Sequence, residues 1–102
     1  MVANTELERL EQYSEVLRAI AHPIRLAMIS LLKDGAPLSV TDIHDRLQIE
    51  QAAASHHLKI LRYNGIVQAQ RDGRYIYYLL SDETYPQILE LLKTADNFST
   101  PK

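Results

Sequence analysis

Residues 51–80 read QAAASHHLKILRYNGIVQAQRDGRYIYYLL, and the spacing of the apolar positions changes midway through that stretch. From Gln51 to Tyr63 three consecutive alanines favour helix, and Ala54, Leu58 and Leu61 recur at the spacing of one buried helical stripe. Asn64-Gly65 ends it, because glycine accepts the left-handed conformation that closes many helices. Val67 to Arg71 and Arg74 to Leu80 are rich in β-branched and aromatic residues, and Asp72-Gly73 between them is a favoured two-residue hairpin turn. The stretch predicts a helix followed by a β-hairpin with an arginine on each side of its tip.

Upstream, Ser39 or Thr41 can cap a short helix whose Ile43 and Leu47 face inward, and a brief turn at Gln48 to Glu50 joins it to the Gln51 helix. Before it, Pro23 suits the first turn of a helix carrying Ile24, Ala27, Met28, Leu31 and Leu32, stopped by Asp34-Gly35. From Thr5 to Ala21, Leu7, Leu10, Val16, Leu17 and Ile20 form an apolar stripe among Glu and Arg, an amphipathic helix. Downstream, Thr84 as cap and Pro86 in the first turn open a last helix with Ile88, Leu89, Leu91, Leu92 and Ala95. The expected fold is mainly α with a β-hairpin, in the order α-α-α-α-β-β-α. Two short helices joined by a tight turn and followed by a hairpin with a basic tip make the winged form of helix-turn-helix.

The composition bounds the rest. With 102 residues, 46% of them hydrophobic and 24% charged, the chain is expected to build one packed core and a single winged domain over residues 1–102. No apolar run approaches the ~18 residues of a membrane span, and the start is acidic and polar (Asn4, Glu6, Glu8) where a signal peptide would be basic and apolar. A cytoplasmic protein without membrane contact is expected. The absence of cysteine excludes disulfides, a thiolate nucleophile and cysteine-based metal or redox sensing. No Ser-His-Asp spacing, Gly-rich phosphate loop or metal quartet is present, so an enzyme is not expected.

The net charge of −2 conceals a segregation. Residues 46–80 hold Arg46, Lys59, Arg62, Arg71 and Arg74 against only Glu50 and Asp72, while the segments on both sides are net acidic. A basic segment on an otherwise acidic domain is the footprint of a protein that touches phosphates with one face. On the Gln51 helix the positions away from the buried stripe are Gln51, Ala52, Ser55, His56, Lys59 and Arg62, side chains suited to a major groove. Arg71 and Arg74 sit where a wing reaches a flanking phosphate or the minor groove. Double-stranded DNA is therefore the expected partner; a winged module that has exchanged DNA for a protein partner is the alternative.

The runs Ser55-His56-His57-Leu58-Lys59-Ile60-Leu61-Arg62, Gly65-Ile66-Val67 and Arg71 through Leu79, with Ala19-Ile20-Ala21-His22-Pro23-Ile24-Arg25-Leu26 upstream, closely resemble the arsenic-repressor (ArsR/SmtB) family of bacterial winged-helix regulators. The resemblance covers about Leu17 to Asp82. It implies a repressor released from its operator by a signal, and a homodimer built by the first and last helices. Leu7, Leu10, Leu17, Ile88, Leu89 and Leu92 are the expected interface, and the operator is expected to be an imperfect inverted repeat. The seam between these helices, which Tyr13 also lines, is read as an interface rather than an inducer pocket, and the inducer is left open.

The departures from the family are specific. Metal-sensing members carry Cys-Val-Cys-Asp where this chain has Ser39-Val40-Thr41-Asp42, and of the zinc-sensing set on the last helix only Asp82 is kept, with Thr84, Ala95 and Phe98 at the other positions. Neither a metal nor another cofactor is expected. On the Gln51 helix, Ala52 and Ala53 replace common hydroxyl residues and Glu50 stands where a serine cap is usual. Of the histidines, His22 belongs to a helix start, His44 to a solvated face, His56 to the DNA face and His57 to packing. Tyr75, Tyr77 and Tyr78 are expected to pack within their strand rather than stack on bases. Arg25 is left between a phosphate and an acidic partner within the fold.

Overall fold

The structure, a computed structural model, describes residues 2–95. Five helices and three strands follow in the order α1 (Val2–Ile20), α2 (Pro23–Leu32), β1 (Leu38–Ser39), α3 (Val40–Leu47), α4 (Gln51–Tyr63), β2 (Val67–Asp72), β3 (Tyr75–Leu80) and α5 (Thr84–Thr94). This is a winged helix-turn-helix, with one element the sequence did not announce. The two residues of β1 pair antiparallel with β3, Leu38 opposite Tyr78 and Ser39 opposite Tyr77, and complete a sheet of order β1-β3-β2. A strand this short has no alternation to read.

The core lies beneath α4. Ala54, Leu58 and Leu61 are fully buried against Met28, Ile29 and Leu32 of α2, Ile43 of α3, and Ile66 and Val67 at the base of the hairpin. Fully burying an aliphatic side chain contributes about 1.5–3 kcal/mol, so this shared apolar seat fixes α4 at the helix-turn-helix angle. Gly65 (φ +74°) ends α4 by turning the chain, with the amide of Ile66 donating to the Leu61 carbonyl at 2.9 Å.

Local chemistry sets the other boundaries. Ser39, not Thr41, caps α3: its hydroxyl accepts from the Asp42 amide at 3.1 Å, and the Asp42 carboxylate accepts from the Ser39 amide at 3.3 Å. At the start of α5 Thr84 is not the cap: Glu83 holds that position without a side-chain bond, and the carboxylate of Asp82 just before it accepts from the Thr84 amide at 2.6 Å. That bond to the ionised form holds the Asp82 carboxyl below its ordinary value. The hairpin closes one residue later than Asp72-Gly73 suggests. Asp72 pairs with Tyr75 as the last rung, and the loop is Gly73-Arg74 with Gly73 at φ +65°. Glycine at the first loop position is what one of the two favoured hairpin turns demands, and it puts Arg74 into the loop itself.

α1 is different. Nineteen residues span roughly 28 Å, yet only Val16, Ala19 and Ile20 near its end join the core. Leu7, Leu10, Tyr13 and Leu17 are all more than half exposed. None of the helices among the described residues is long and apolar enough to cross a membrane.

Candidate nucleic-acid interface

The recognition candidates are assembled by α4. Because Ala54, Leu58 and Leu61 face the core, Gln51, Ala52, Ser55, His56, Lys59 and Arg62 are turned outward, and all six are exposed. Tyr63, on the last turn of the same arc, was missed by the sequence reading although the helical wheel places it beside Lys59. It is 90% exposed. Next to the Asn64-Gly65 stop it marks a helix boundary, which hides its side chain from a reading by spacing.

α3 and α4 meet at a tight corner. Gln48 ends α3 in the left-handed conformation (φ +57°), a position that costs a side chain of this kind on the order of 1 kcal/mol. Two side-chain bonds hold it: the Gln48 amide donates to the Asp45 carbonyl at 2.8 Å, and Nδ1 of His44 lies 3.1 Å from the Ile49 carbonyl. The solvated-face reading of His44 is thus corrected, since the ring is half-buried and closes the turn. Glu50 opens α4 without a side-chain cap, so nothing replaces the usual serine.

The wing carries Arg71 and Arg74, both exposed. The Arg74 guanidinium stands 5.8 Å from the Tyr75 ring centroid, a cation–π distance, and the Tyr75 and Tyr77 rings lie 6.4 Å apart. Tyr77 and Tyr78 are half-buried as expected of packing residues, whereas Tyr75 is 55% exposed near the tip.

Away from α4 and the wing, Arg18 pairs with Glu15 at 2.9 Å, and Lys93 and Lys33 reach Glu90 at 3.3 and 3.9 Å. Among the described residues Lys59, Arg62, Arg71 and Arg74 pair with no carboxylate. Four unneutralised cations are therefore gathered on α4 and the wing, while Arg9 on α1 and Arg46 on α3 are likewise exposed without a carboxylate partner.

Behind α4 lies a second group of nitrogen-bearing side chains. His22 caps α2, its Nδ1 accepting from the Ile24 amide at 3.1 Å. The His57 ring packs against His22 with centroids 4.5 Å apart and against His56 at 5.3 Å. Arg25 takes neither of its expected partners; it donates from Nη1 to the Ala19 carbonyl at 3.2 Å. Its Nε and the Nδ1 of His57 are buried without a partner. Burial, then the neighbouring His22, Arg25 and His56, hold the His57 pKa below the ordinary histidine value.

The residue positions matching the family's metal ligands are engaged elsewhere. Ser39 is locked in its capping box and Asp82 accepts from the first amide of α5, while Phe98 lies outside the described residues. Among the described residues no three of His, Cys, Asp and Glu converge as a metal site would require.

The sequence pattern of the "Bacterial regulatory protein, arsR family" matches residues 22–69, from the α2 cap to the first rungs of the wing. The chain is 34% identical over 86 residues to the uncharacterized HTH-type transcriptional regulator MJ1325 of Methanocaldococcus jannaschii, covering 84% of this chain and 97% of that protein. The chain belongs to the ArsR family of transcriptional regulators. ArsR proteins are regulators rather than enzymes. A second relative, the HTH-type transcriptional repressor SmtB of Mycobacterium tuberculosis, is 37% identical over 82 residues, 80% of this chain and 60% of that one. The chain thus spans less than two thirds of SmtB. In structure it is similar to the homodimeric winged helix-turn-helix DNA-binding domain of Mb0332 from Mycobacterium bovis, with TM-score 0.80 and 27% identity over 90% of this chain and 84% of that one.

Proposed function

We propose that this ArsR-family chain is a dimeric, sequence-specific repressor whose two α4 helices enter successive major grooves of an imperfect inverted repeat. The observation that carries the reading is the cluster of unpaired cations and polar side chains on α4 and the wing, opposite the stripe that buries Ala54, Leu58 and Leu61. In it, Lys59, Arg62, Arg71 and Arg74 fix register through phosphates, and Gln51, Ser55 and His56 address base edges. Ala52 meets a thymine methyl by apolar contact. Dimerisation is supported by the uncovered stripe of α1 and by the homodimeric state of Mb0332. Leu7, Leu10, Leu17 and Leu92 offer exposed apolar surface to it, and so does Leu91, the most exposed leucine of α5 and absent from the expected set. Ile88 packs against the core and Leu89 is half-buried, so both contribute less than the sequence suggests. Repression follows from occlusion of the operator, the role SmtB is named for.

The test is fluorescence anisotropy on a duplex enriched from genomic fragments and on a random duplex, across a salt series. A DNA-binding dimer gives an affinity that falls steeply and linearly on a double-logarithmic salt plot, with tighter binding to the enriched duplex. Failure to bind either duplex at low salt overturns the reading in favour of a protein-interaction module.

A further inference from the structure

The histidines behind α4 do something that neither packing nor base reading accounts for. His22 stands at the start of α2 and His57 on the inward edge of α4, so their ring contact at 4.5 Å joins the recognition helix to the helix beneath it. In each ring Nδ1 is either committed or enclosed. Nδ1 of His22 accepts the Ile24 amide at 3.1 Å, which places the ring proton on Nε2. A second proton would go to Nδ1, set two donors face to face and remove the cap of α2. His57 faces the same restriction from the other side, because an imidazolium needs acceptors for two N–H groups and its Nδ1 is buried with none.

The surroundings add to the cost of charge. From α2 the group facing His57 is Arg25 besides His22, from α4 itself it is His56, and α1 contributes the Ala19 carbonyl, already bonded to Arg25. Every one of the ionisable neighbours is a cation or becomes one on protonation. Among the described residues no carboxylate bonds to any of the four.

We propose that His22 and His57 form a proton-sensitive clasp, which seats the recognition helix on the start of α2 while both rings are neutral and releases it when either is protonated, weakening DNA binding. The inference rests on the DNA-binding reading above and adds to it an input: acidity. The direction follows from linkage. A histidine whose folded pKa lies below its unfolded value supports the seated state above the unfolded pKa, and that support is lost as pH falls through the folded value.

The experiment compares the wild type with His22→Asn, His57→Gln and the double variant between pH 7.5 and 5.5 at fixed ionic strength, using the enriched duplex. Asparagine is a good helix cap and cannot take up a proton, so His22→Asn keeps the acceptor for Ile24 while removing the titration. His56 is common to all the proteins compared, so its contribution cancels. The wild type is expected to lose affinity severalfold relative to the double variant over this range, with the single variants falling between because each keeps one of the two rings. Superimposed pH profiles, or a wild-type affinity that rises on acidification relative to the variants, overturn the clasp.

Amide hydrogen exchange without DNA gives an independent readout. Corrected for intrinsic rates, protection across Gln51 to Tyr63 is expected to drop at pH 5.5 in the wild type and to persist in the double variant. Equal protection in both overturns the clasp whatever the DNA result. Absence of DNA binding at pH 7.5 with the exchange difference intact overturns the DNA-binding reading instead.

Discussion

Replacing Leu10 with aspartate tests the dimer where the monomer has least to lose. Leu10 is 52% exposed, lies two turns before the part of α1 that joins the core, and packs on none of the buried cluster. Across α1 and α5 the exposed fractions of Leu7, Leu10, Leu17, Leu91 and Leu92 amount to about three whole leucines, or roughly 5–9 kcal/mol of burial per protomer. Tyr13 adds about another 1 kcal/mol, and a twofold interface counts everything twice. That sum exceeds a cost of association of roughly 4–15 kcal/mol over most of its range, and its upper part leaves the ~8 kcal/mol of a micromolar dimer. Leu10→Asp removes about 1 kcal/mol of burial on each side and desolvates two carboxylates at a further 1–3 kcal/mol or more apiece. The dimer constant should weaken at least a thousandfold. Sedimentation equilibrium measures it, with far-ultraviolet circular dichroism to show that helix content is kept. A wild type that is monomeric at tens of micromolar would refute the reasoning at its root, and a Leu10→Asp protein that pairs as tightly as the wild type would move the interface off α1.

The remaining expectations concern the wing, the groove and metal. Gly73→Val places a β-branched residue at φ +65°, where open space surrounds the Cβ, so the penalty is backbone strain rather than collision. DNA affinity should fall severalfold with the dimer intact, and unchanged anisotropy would show that the hairpin tip does not touch DNA. Lys59→Ala should weaken binding to every sequence and reduce the salt slope by about one, whereas Gln51→Ala should chiefly alter sequence preference in a selection experiment. Calorimetric titration with zinc should give no stoichiometric sub-micromolar isotherm, because Ser39 and Asp82 are held by backbone amides and hydroxyls are poor ligands for soft cations. Tight zinc binding accompanied by release of DNA would contradict that assignment.

What the chain announces about its fold depends on how local the deciding physics is. The helix α4 is legible because its three anchoring positions recur at helical spacing and because Gly65 must stop it. The wing is legible because alternation and a loop glycine sit side by side, although the turn falls on Gly73-Arg74 and not on Asp72-Gly73. That slip arises because an aspartate-glycine pair fits two hairpin loops one residue apart, and only the pairing of Asp72 with Tyr75 decides between them. The strand β1 exists only through Tyr77 and Tyr78, nearly forty residues further on, so no local pattern marks it.

The interface divides along the same line. Exposure of Gln51, Ser55, His56, Lys59 and Arg62 follows from helix geometry once the buried stripe is known, and Tyr63 follows equally when the last turn is included. The roles of Arg25 and His44 do not follow, since both are settled by backbone carbonyls, of Ala19 and Ile49, that composition cannot rank against phosphate, acid or solvent. The histidine pair lies further still from what spacing reveals. Helical geometry turns His57 away from His56 and toward the body, but the ring it meets belongs to a residue thirty-five positions earlier whose own nitrogen is committed to a cap. The meeting of His22 and His57 is thus a property of the packed joint between α2 and α4, and the same joint holds Arg25 against the end of α1. In the dimer proposed above, the setting of α1 and the seating of the recognition helix meet at this one buried corner, so a proton taken up there acts on the element that reads DNA without touching the face that does the reading.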